Sequence, residues 1–439
     1  MSSSIKIVTI GGGSTYTPEL VQGLIRRYDE LPITELWLVD LPEASDKLAV
    51  IGNLVKRMIA TANVPFDVRL STDRTEALPG ADYVITQFRV GGIDSRIKDE
   101  TIPARHRLLG QESIGIGGLF QALRTIPVMW AIIDDIKTYC DGAWLINVTN
   151  PTGIISEAIY RYAEYPNYVG ISTITNYLAN HFASQLGAKE KDIIPYFVGL
   201  YQLSYVISLY HKHRNSLQDI LDNMDESELR FKHDGTPSWD GQFIKQLGAY
   251  PGPYLKYYYH YEEMLERYLK QAATNNTRAE QVKRIEADLL QTFADPDFEL
   301  DENHISDRGG TYYSDVACGV IASIHNDKRD YHVVITENNR AISDLPEGAA
   351  IEITCRMTKH GPVPVYIGTL PLQIKGLIQS MKAYEELLVD AIFEKDLNKA
   401  QFALQINPLI HSIQNAKAAF EELFEAHRDH LGYYEEDRS

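Results

Sequence analysis

Cysteine is scarce in this chain of 439 residues: there are three, and Cys140, Cys318 and Cys355 stand far apart. An odd, dispersed set excludes a disulfide framework and a cysteine-only zinc cluster, so the three read as reduced, buried thiols. Positive charge is also in deficit, since 42 Lys and Arg against 60 Asp and Glu leave a net charge of −18. Neutralising a nucleic-acid backbone requires clustered Lys and Arg, so no nucleic-acid partner is expected. No apolar run of the roughly 20 residues needed to span a bilayer stands out. The opening "MSSSIKIVTI" lacks the charged, apolar and small-residue zones of a secretion signal. No membrane partner is therefore expected, and the cytoplasm is the expected location. Low-complexity blocks and fixed-period repeats are missing too, while 44% hydrophobic and 23% charged residues suit an ordinary globular chain.

What is present is a strand and helix alternation. Short β-branched segments at 5–10, 34–40, 82–87, 143–148 and 167–172 are separated by helical patterns at 17–29, 44–61, 119–138 and 152–162. That order predicts an α/β fold whose N-terminal part is a Rossmann-like, doubly wound parallel sheet. After about residue 195 the pattern becomes mixed. Strand-like sequence follows at 195–210, helices near 216–223 and 258–294, more strand across 329–356, and long helices near 370–393 and 397–427. The expected organisation is an NAD-binding domain over 1–195 and an α+β substrate-binding and catalytic domain over 196–439.

The stretch "IKIVTIGGGSTYTPEL", residues 5 to 20, runs from strand through three glycines into a helix. Such a turn brings backbone N–H groups and the positive end of a helix against a pyrophosphate, and a Cβ would hold that ligand away. Gly11, Gly12, Gly13, Ser14 and Thr15 are the candidate cradle, although Tyr16 stands where a third fingerprint glycine would be. Asp40 ends the next strand 29 residues after Gly11. A carboxylate there accepts from ribose hydroxyls and repels a 2′-phosphate, which favours NAD over NADP.

The segment from Arg89 to Gly118 packs glycines among Arg96, Glu112 and other charges, a mixture that suits neither a core strand nor a surface helix. Paired guanidinium donors match phosphate, so Arg96, Glu112 and Arg308, the last beside two glycines in "SDRGGTYYSD", are candidate contacts to an anionic substrate. Asn150 in "NVTNP" ends a strand where ligands of doubly wound sheets bind. In "PYLKYYYHYEEM" a phenol beside a cation could serve as a base, although aromatic clusters more often pack cores.

Taken in order, "GGGSTYTPEL", "GQESIGIGG", "ALRTIPV", "NVTNP", "PYLKYYY" and "RGGTYYSD" resemble glycoside hydrolase family 4, in particular its 6-phospho-β-glucosidases, over nearly the whole chain. The resemblance implies an architecture like that of lactate and malate dehydrogenases, a homodimer or homotetramer, and a phosphorylated disaccharide or other 6-phospho-glycoside as substrate. It also implies NAD-dependent hydrolysis by redox, elimination and addition, the family's exception to two-carboxylate glycosidases. The sugar is oxidised at carbon 3, a tyrosine removes the acidified proton at carbon 2, the aglycone leaves, water adds, and the hydride returns. Tyr254 is the best candidate base and Tyr257 the next.

Family members hold manganese through a cysteine and a histidine. Aligned without gaps, this chain has Ser172 and Gln202 at those two positions. Neutral oxygen donors are poor partners for manganese, so metal dependence is expected to be weak or absent. His181, His211 and His213 are the nearby imidazoles that could substitute. The competing function is a catalytically impaired NAD- and sugar-phosphate-binding member of the family, a sensor or scaffold.

Overall fold

A computed structural model describes residues 4–223, 237–300 and 313–434. Its strands are β1 (Ile5–Ile10), β2 (Ile33–Val39), β3 (Asp67–Ser71), β4 (Tyr83–Thr86), β5 (Trp144–Asn147), β6 (Tyr168–Gly170), β7 (Ile193–Leu200), β8 (Leu203–His211), β9 (Arg214–Asn215), β10 (Tyr250–Pro251), β11 (Tyr331–Glu337), β12 (Ala350–Thr358) and β13 (Gly361–Pro364). All belong to one sheet in the order β10-β8-β7-β12-β11-β6-β5-β4-β1-β2-β3, with β13 on β12 and β9 on β8.

The first six strands are parallel and lie in the order 3-2-1-4-5-6. This is the Rossmann-like α/β arrangement, and the reversal between β1 and β4 opens a crevice at the carboxyl ends of the strands. β4 is buried along its length and β1 nearly so, because helices cover both faces. β3 was not anticipated. Its "DVRLS" is a partly exposed edge strand with charged residues, so its apolar signal is weak.

Beyond β6 the sheet continues with antiparallel strands, β11 joining β6 through Ile335 and Gly170, followed by β12, β7 and β8. A buried ammonium ties the two halves together. Lys382, on the helix Leu372–Phe393, reaches Glu157 at 2.7 Å, Glu385 at 2.6 Å and the Ala350 carbonyl at 2.8 Å.

Three sequence expectations need correction. The helix Gly115–Tyr139 is long and apolar enough, by length and composition, to cross a membrane, but its most apolar window is 78% buried within the fold. It is therefore a core helix. The segment 89–118 does contain a regular helix, Gly92–Arg105, and this helix buries Arg96, Asp99 and Glu100. Its charges are tolerated because they are paired: Asp99 accepts both Arg124 guanidinium nitrogens, at 3.0 and 2.6 Å, and lies 2.8 Å from His427 Nε2. Finally, the helical stretch expected over 258–294 and the long helix expected near 397–427 are each interrupted. Thr277 starts Arg278–Ala294 with a capping box after Tyr261–Ala273, and Ser412 caps Ile413–Ala426 after Leu397–Ile406.

Candidate active site

At the end of β1 the chain turns at Gly11 with φ +88°, a conformation open to glycine. A Cβ at Gly11 would lie 2.6 Å from the Gln87 carbonyl oxygen, and one at Gly12 would lie 2.7 Å from the Leu38 Cβ. The Gly13 N–H donates to Asp40 Oδ2 at 2.8 Å, and the Leu41 N–H donates to Asp40 Oδ1 at 2.9 Å. Asp40 thus fastens the glycine turn to the end of β2. Thr17, in the first turn of the helix Thr17–Arg26, donates to the Gly12 carbonyl at 2.8 Å.

A cleft of about 1650 Å³ opens over the ends of β1, β2, β4, β5 and β6, lined there by Ile10, Val39, Gln87, Val148 and Ile171. Small-molecule sites usually occupy ~300–1,000 Å³, so this cleft has room for a dinucleotide with a second ligand beside it. Gly11, Ser14 and Asp40 line it, as do Arg96, Glu112, Asn150, Ser172, Gln202, Tyr254 and Tyr257. Ten of the expected residues thus share one cavity. Gly12 and Gly13 lie behind its wall, Thr15 is fully buried, and Arg308 lies outside the described residues. The turn, its Cβ-intolerant glycines and the adjoining carboxylate fit a dinucleotide.

The charged wall is internally paired. Arg96, 4% exposed, donates from Nε to Glu100 at 2.7 Å and holds Glu112 at 3.0 Å from Nη1. Arg89 also donates to Glu112. Glu100 in turn accepts the Ala279 N–H at 2.7 Å, in the first turn of Arg278–Ala294. Four further cations line the cleft, Lys47, Arg74, Arg267 and Arg278, and none was singled out from the sequence. A capping box beside Arg278 is the one local signal that a helix begins at the cavity.

Tyr254 and Tyr257 stack with ring centroids 6.1 Å apart. Burial, then the Glu112 charge, pushes the Tyr254 phenol up to about 12, while Arg96 pulls it down. Tyr201 is a further cleft residue that sequence reasoning missed. Its hydroxyl donates to Asn150 Oδ1 at 2.7 Å, so it sets the orientation of that amide. Burial, aided by Tyr254 and Glu112, raises the Tyr201 phenol well above its ordinary value.

Ser172 follows β6 and Gln202 lies in the turn joining β7 to β8; both are buried and both line the cleft. Ser172 also reaches buried Glu352, which accepts the Ser204 hydroxyl at 2.6 Å. Burial pushes Glu352 up to about 7, against the pull of the two serines. Among the described residues no group of three or more His, Cys, Asp and Glu is placed to hold a metal ion. The imidazoles offer no substitute: His181 packs near Phe182 and Tyr250, His211 ends β8 away from the cavity with His213 just beyond, and none of the three lines the cleft. Among the described residues the donor set at Ser172 and Gln202 does not fit manganese.

The sheet order, the glycine turn and the cleft at the switch point define a dinucleotide-binding α/β enzyme fold. The family model "Family 4 glycosyl hydrolase" matches residues 6–187, and "Family 4 glycosyl hydrolase C-terminal domain" matches residues 181–410. The chain belongs to family 4 of the glycosyl hydrolases. The probable 6-phospho-beta-glucosidase of Bacillus subtilis (strain 168) is 42% identical over 433 residues, 98% of each chain. The 6-phospho-beta glucosidase of Thermotoga maritima, solved with manganese, NAD+ and glucose-6-phosphate, superposes with a TM-score of 0.88 at 30% identity, covering 97% of this chain and 99% of that one. A lactate dehydrogenase from Eimeria maxima, with a TM-score of 0.54 and 14% identity over 96% of this chain and 98% of its own, shares the fold alone.

Proposed function

We propose that this glycosidase hydrolyses 6-phospho-β-glucosides with NAD as an internal redox partner and without a resident manganese ion. The observation that carries the reading is the meeting, in one cleft, of the Gly11–Asp40 turn with Arg96, Asn150, Tyr254 and Tyr257. Residues 1–195 would bind the dinucleotide and 196–439 would contribute the tyrosines. Bound NAD+ supplies a hydride acceptor, and later a hydride donor, at carbon 3 of the sugar.

The chain's own part is binding and proton handling. Gly11 to Thr15 and Asp40 hold the dinucleotide, while Arg96, Glu112, Asn150 and Arg308 receive the sugar phosphate. Tyr254 takes the carbon 2 proton on its phenolate oxygen, with Tyr257 beside it as the second candidate. Only the deprotonated fraction of Tyr254 can do so, which makes the rate follow a pKa that Glu112 raises and Arg96 lowers. No step is assigned to a metal, because Ser172 and Gln202 are neutral oxygen donors. A homodimer or homotetramer remains part of the proposal.

Release of p-nitrophenol from its 6-phospho-β-glucoside tests the reading. Release that requires NAD+, ignores chelator and fails with the unphosphorylated glucoside supports it. The substituted metal positions favour a second reading, a sugar-phosphate sensor or scaffold, and that reading predicts binding of glucose 6-phosphate and NAD+ with no release.

A further inference from the structure

Gln202 occupies the two-residue connection between Leu200 and Leu203, the last paired residues of β7 and β8. Its φ of +60° lies in the left-handed region, where a non-glycine side chain is strained. Strain of this kind persists where the surroundings impose it, and it concentrates at ligand sites. Here it coincides with a second oddity. Gln202 is 7% exposed and lines the cleft; its Nε2 donates to Ser113 Oγ at 3.2 Å, and its Oε1 is buried without a hydrogen-bond partner among the described residues.

A bare amide oxygen away from water is costly and rare, so the chemistry that would satisfy it is informative. It needs a donor small enough to enter beside Ser172. A hydroxyl serves either orientation of the amide. It donates to Oε1 as the side chain stands, and with the amide reversed Ser113 would donate to Oε1 while the same hydroxyl accepted from Nε2. A carbonyl or ether oxygen carries no proton and, with the amide as it stands, would leave Oε1 bare; a hydroxyl satisfies both orientations. For a divalent cation, no group of three or more His, Cys, Asp and Glu stands here among the described residues.

We infer that Gln202 is a specificity-determining residue that reads one ring hydroxyl of the sugar through Oε1, at the position where the family pattern has a histidine. The inference rests on the proposed sugar-phosphate reading and deepens it. The strained turn holds the amide in place before the ligand arrives, so the contact discriminates between sugars differing at a single carbon. A site built to hydrogen-bond a hydroxyl rejects the analogue lacking it far more strongly than an apolar pocket rejects an extra one.

The test is calorimetric and needs no turnover. Glucose 6-phosphate and its 2-deoxy, 3-deoxy and 4-deoxy analogues are titrated into the NAD+-loaded wild type, Gln202→Leu and Gln202→Glu. One deoxy analogue should bind wild type about 10- to 100-fold more weakly than glucose 6-phosphate. Gln202→Leu should weaken glucose 6-phosphate by a similar factor and leave that analogue unchanged, while Gln202→Glu, which keeps an acceptor, should retain the discrimination. If glucose 6-phosphate binds wild type and Gln202→Leu equally, or if every analogue loses the same factor, the inference is overturned and the sugar-phosphate reading stands. The wild-type series alone suffices should Gln202→Leu not fold, since equal binding of all four ligands overturns the inference. If wild type binds NAD+ and none of the sugar phosphates, the reading falls and the inference with it.

Discussion

Glu112→Gln isolates the electrostatic control of Tyr254. After burial, the Glu112 carboxylate is the largest influence raising that phenol to about 12, and Arg96 is the group opposing it. Glu112 sits 3.0 Å from Arg96 Nη1 and also binds Arg89, so it both raises the phenol directly and neutralises the cations that would lower it. The substitution keeps the size of the side chain and removes its charge, while Glu100 still holds Arg96 at 2.7 Å. A like charge nearby typically shifts a pKa by ~1–3 units; because the cations screen this one, we expect a fall of about 1 unit, equivalent to about 1.4 kcal/mol. At neutral pH the phenolate fraction should rise about tenfold, and the ascending limb of the pH–rate profile, set by deprotonation of Tyr254, should move to lower pH by about one unit. Carbon-13 NMR of labelled tyrosine, with the resonance assigned by Tyr254→Phe, reads the titration directly. An unchanged or higher Tyr254 pKa in Glu112→Gln would refute the reasoning.

The remaining predictions are simpler. Asp40→Ala removes the acceptor for the Gly13 and Leu41 N–H groups as well as the proposed ribose contact, so calorimetry should show NAD+ affinity reduced by about 10- to 100-fold; unchanged affinity would count against the cofactor assignment. Glu352 titrates near 4.5 when exposed and at about 7 in the fold, so its favourable contribution is complete below pH 4.5 and is lost as pH rises to about 7. That loss amounts to about 3 kcal/mol at most, so urea unfolding should show wild type losing stability over this range relative to Glu352→Gln. Parallel pH dependences in the two proteins would exclude that role for Glu352. Ser172→Cys combined with Gln202→His should create manganese binding, with none expected in wild type; micromolar manganese binding by wild type would show that another ligand set exists.

Much of the dinucleotide half was legible because its signals are local. Buried β-branched strands, three consecutive glycines and an acid at the end of the next strand lie within forty residues, and the structure brings Gly13 and Asp40 into a direct hydrogen bond. The polar wall was harder to read because several of its partners are distant in sequence. Nothing near Asp99 announces His427, and although Glu100 stands four residues after Arg96, nothing local shows that this pair is buried or that Glu112 joins it. Their charges made a buried helix look like neither a core strand nor a surface helix. Tyr201 illustrates the same limit, since its role depends on Asn150, which arrives from the end of a different strand. Gln202 was noticed for what it replaces, while its strained φ and bare oxygen are properties of the folded turn alone.

The central claim is that hydrolysis proceeds through removal of a proton from carbon 2 of the sugar. It is tested most directly by cleaving p-nitrophenyl 6-phospho-β-glucoside in heavy water with NAD+ and chelator present, then locating deuterium in the glucose 6-phosphate by NMR. The account predicts deuterium at carbon 2 of the product. Product released with hydrogen retained at carbon 2 would contradict it.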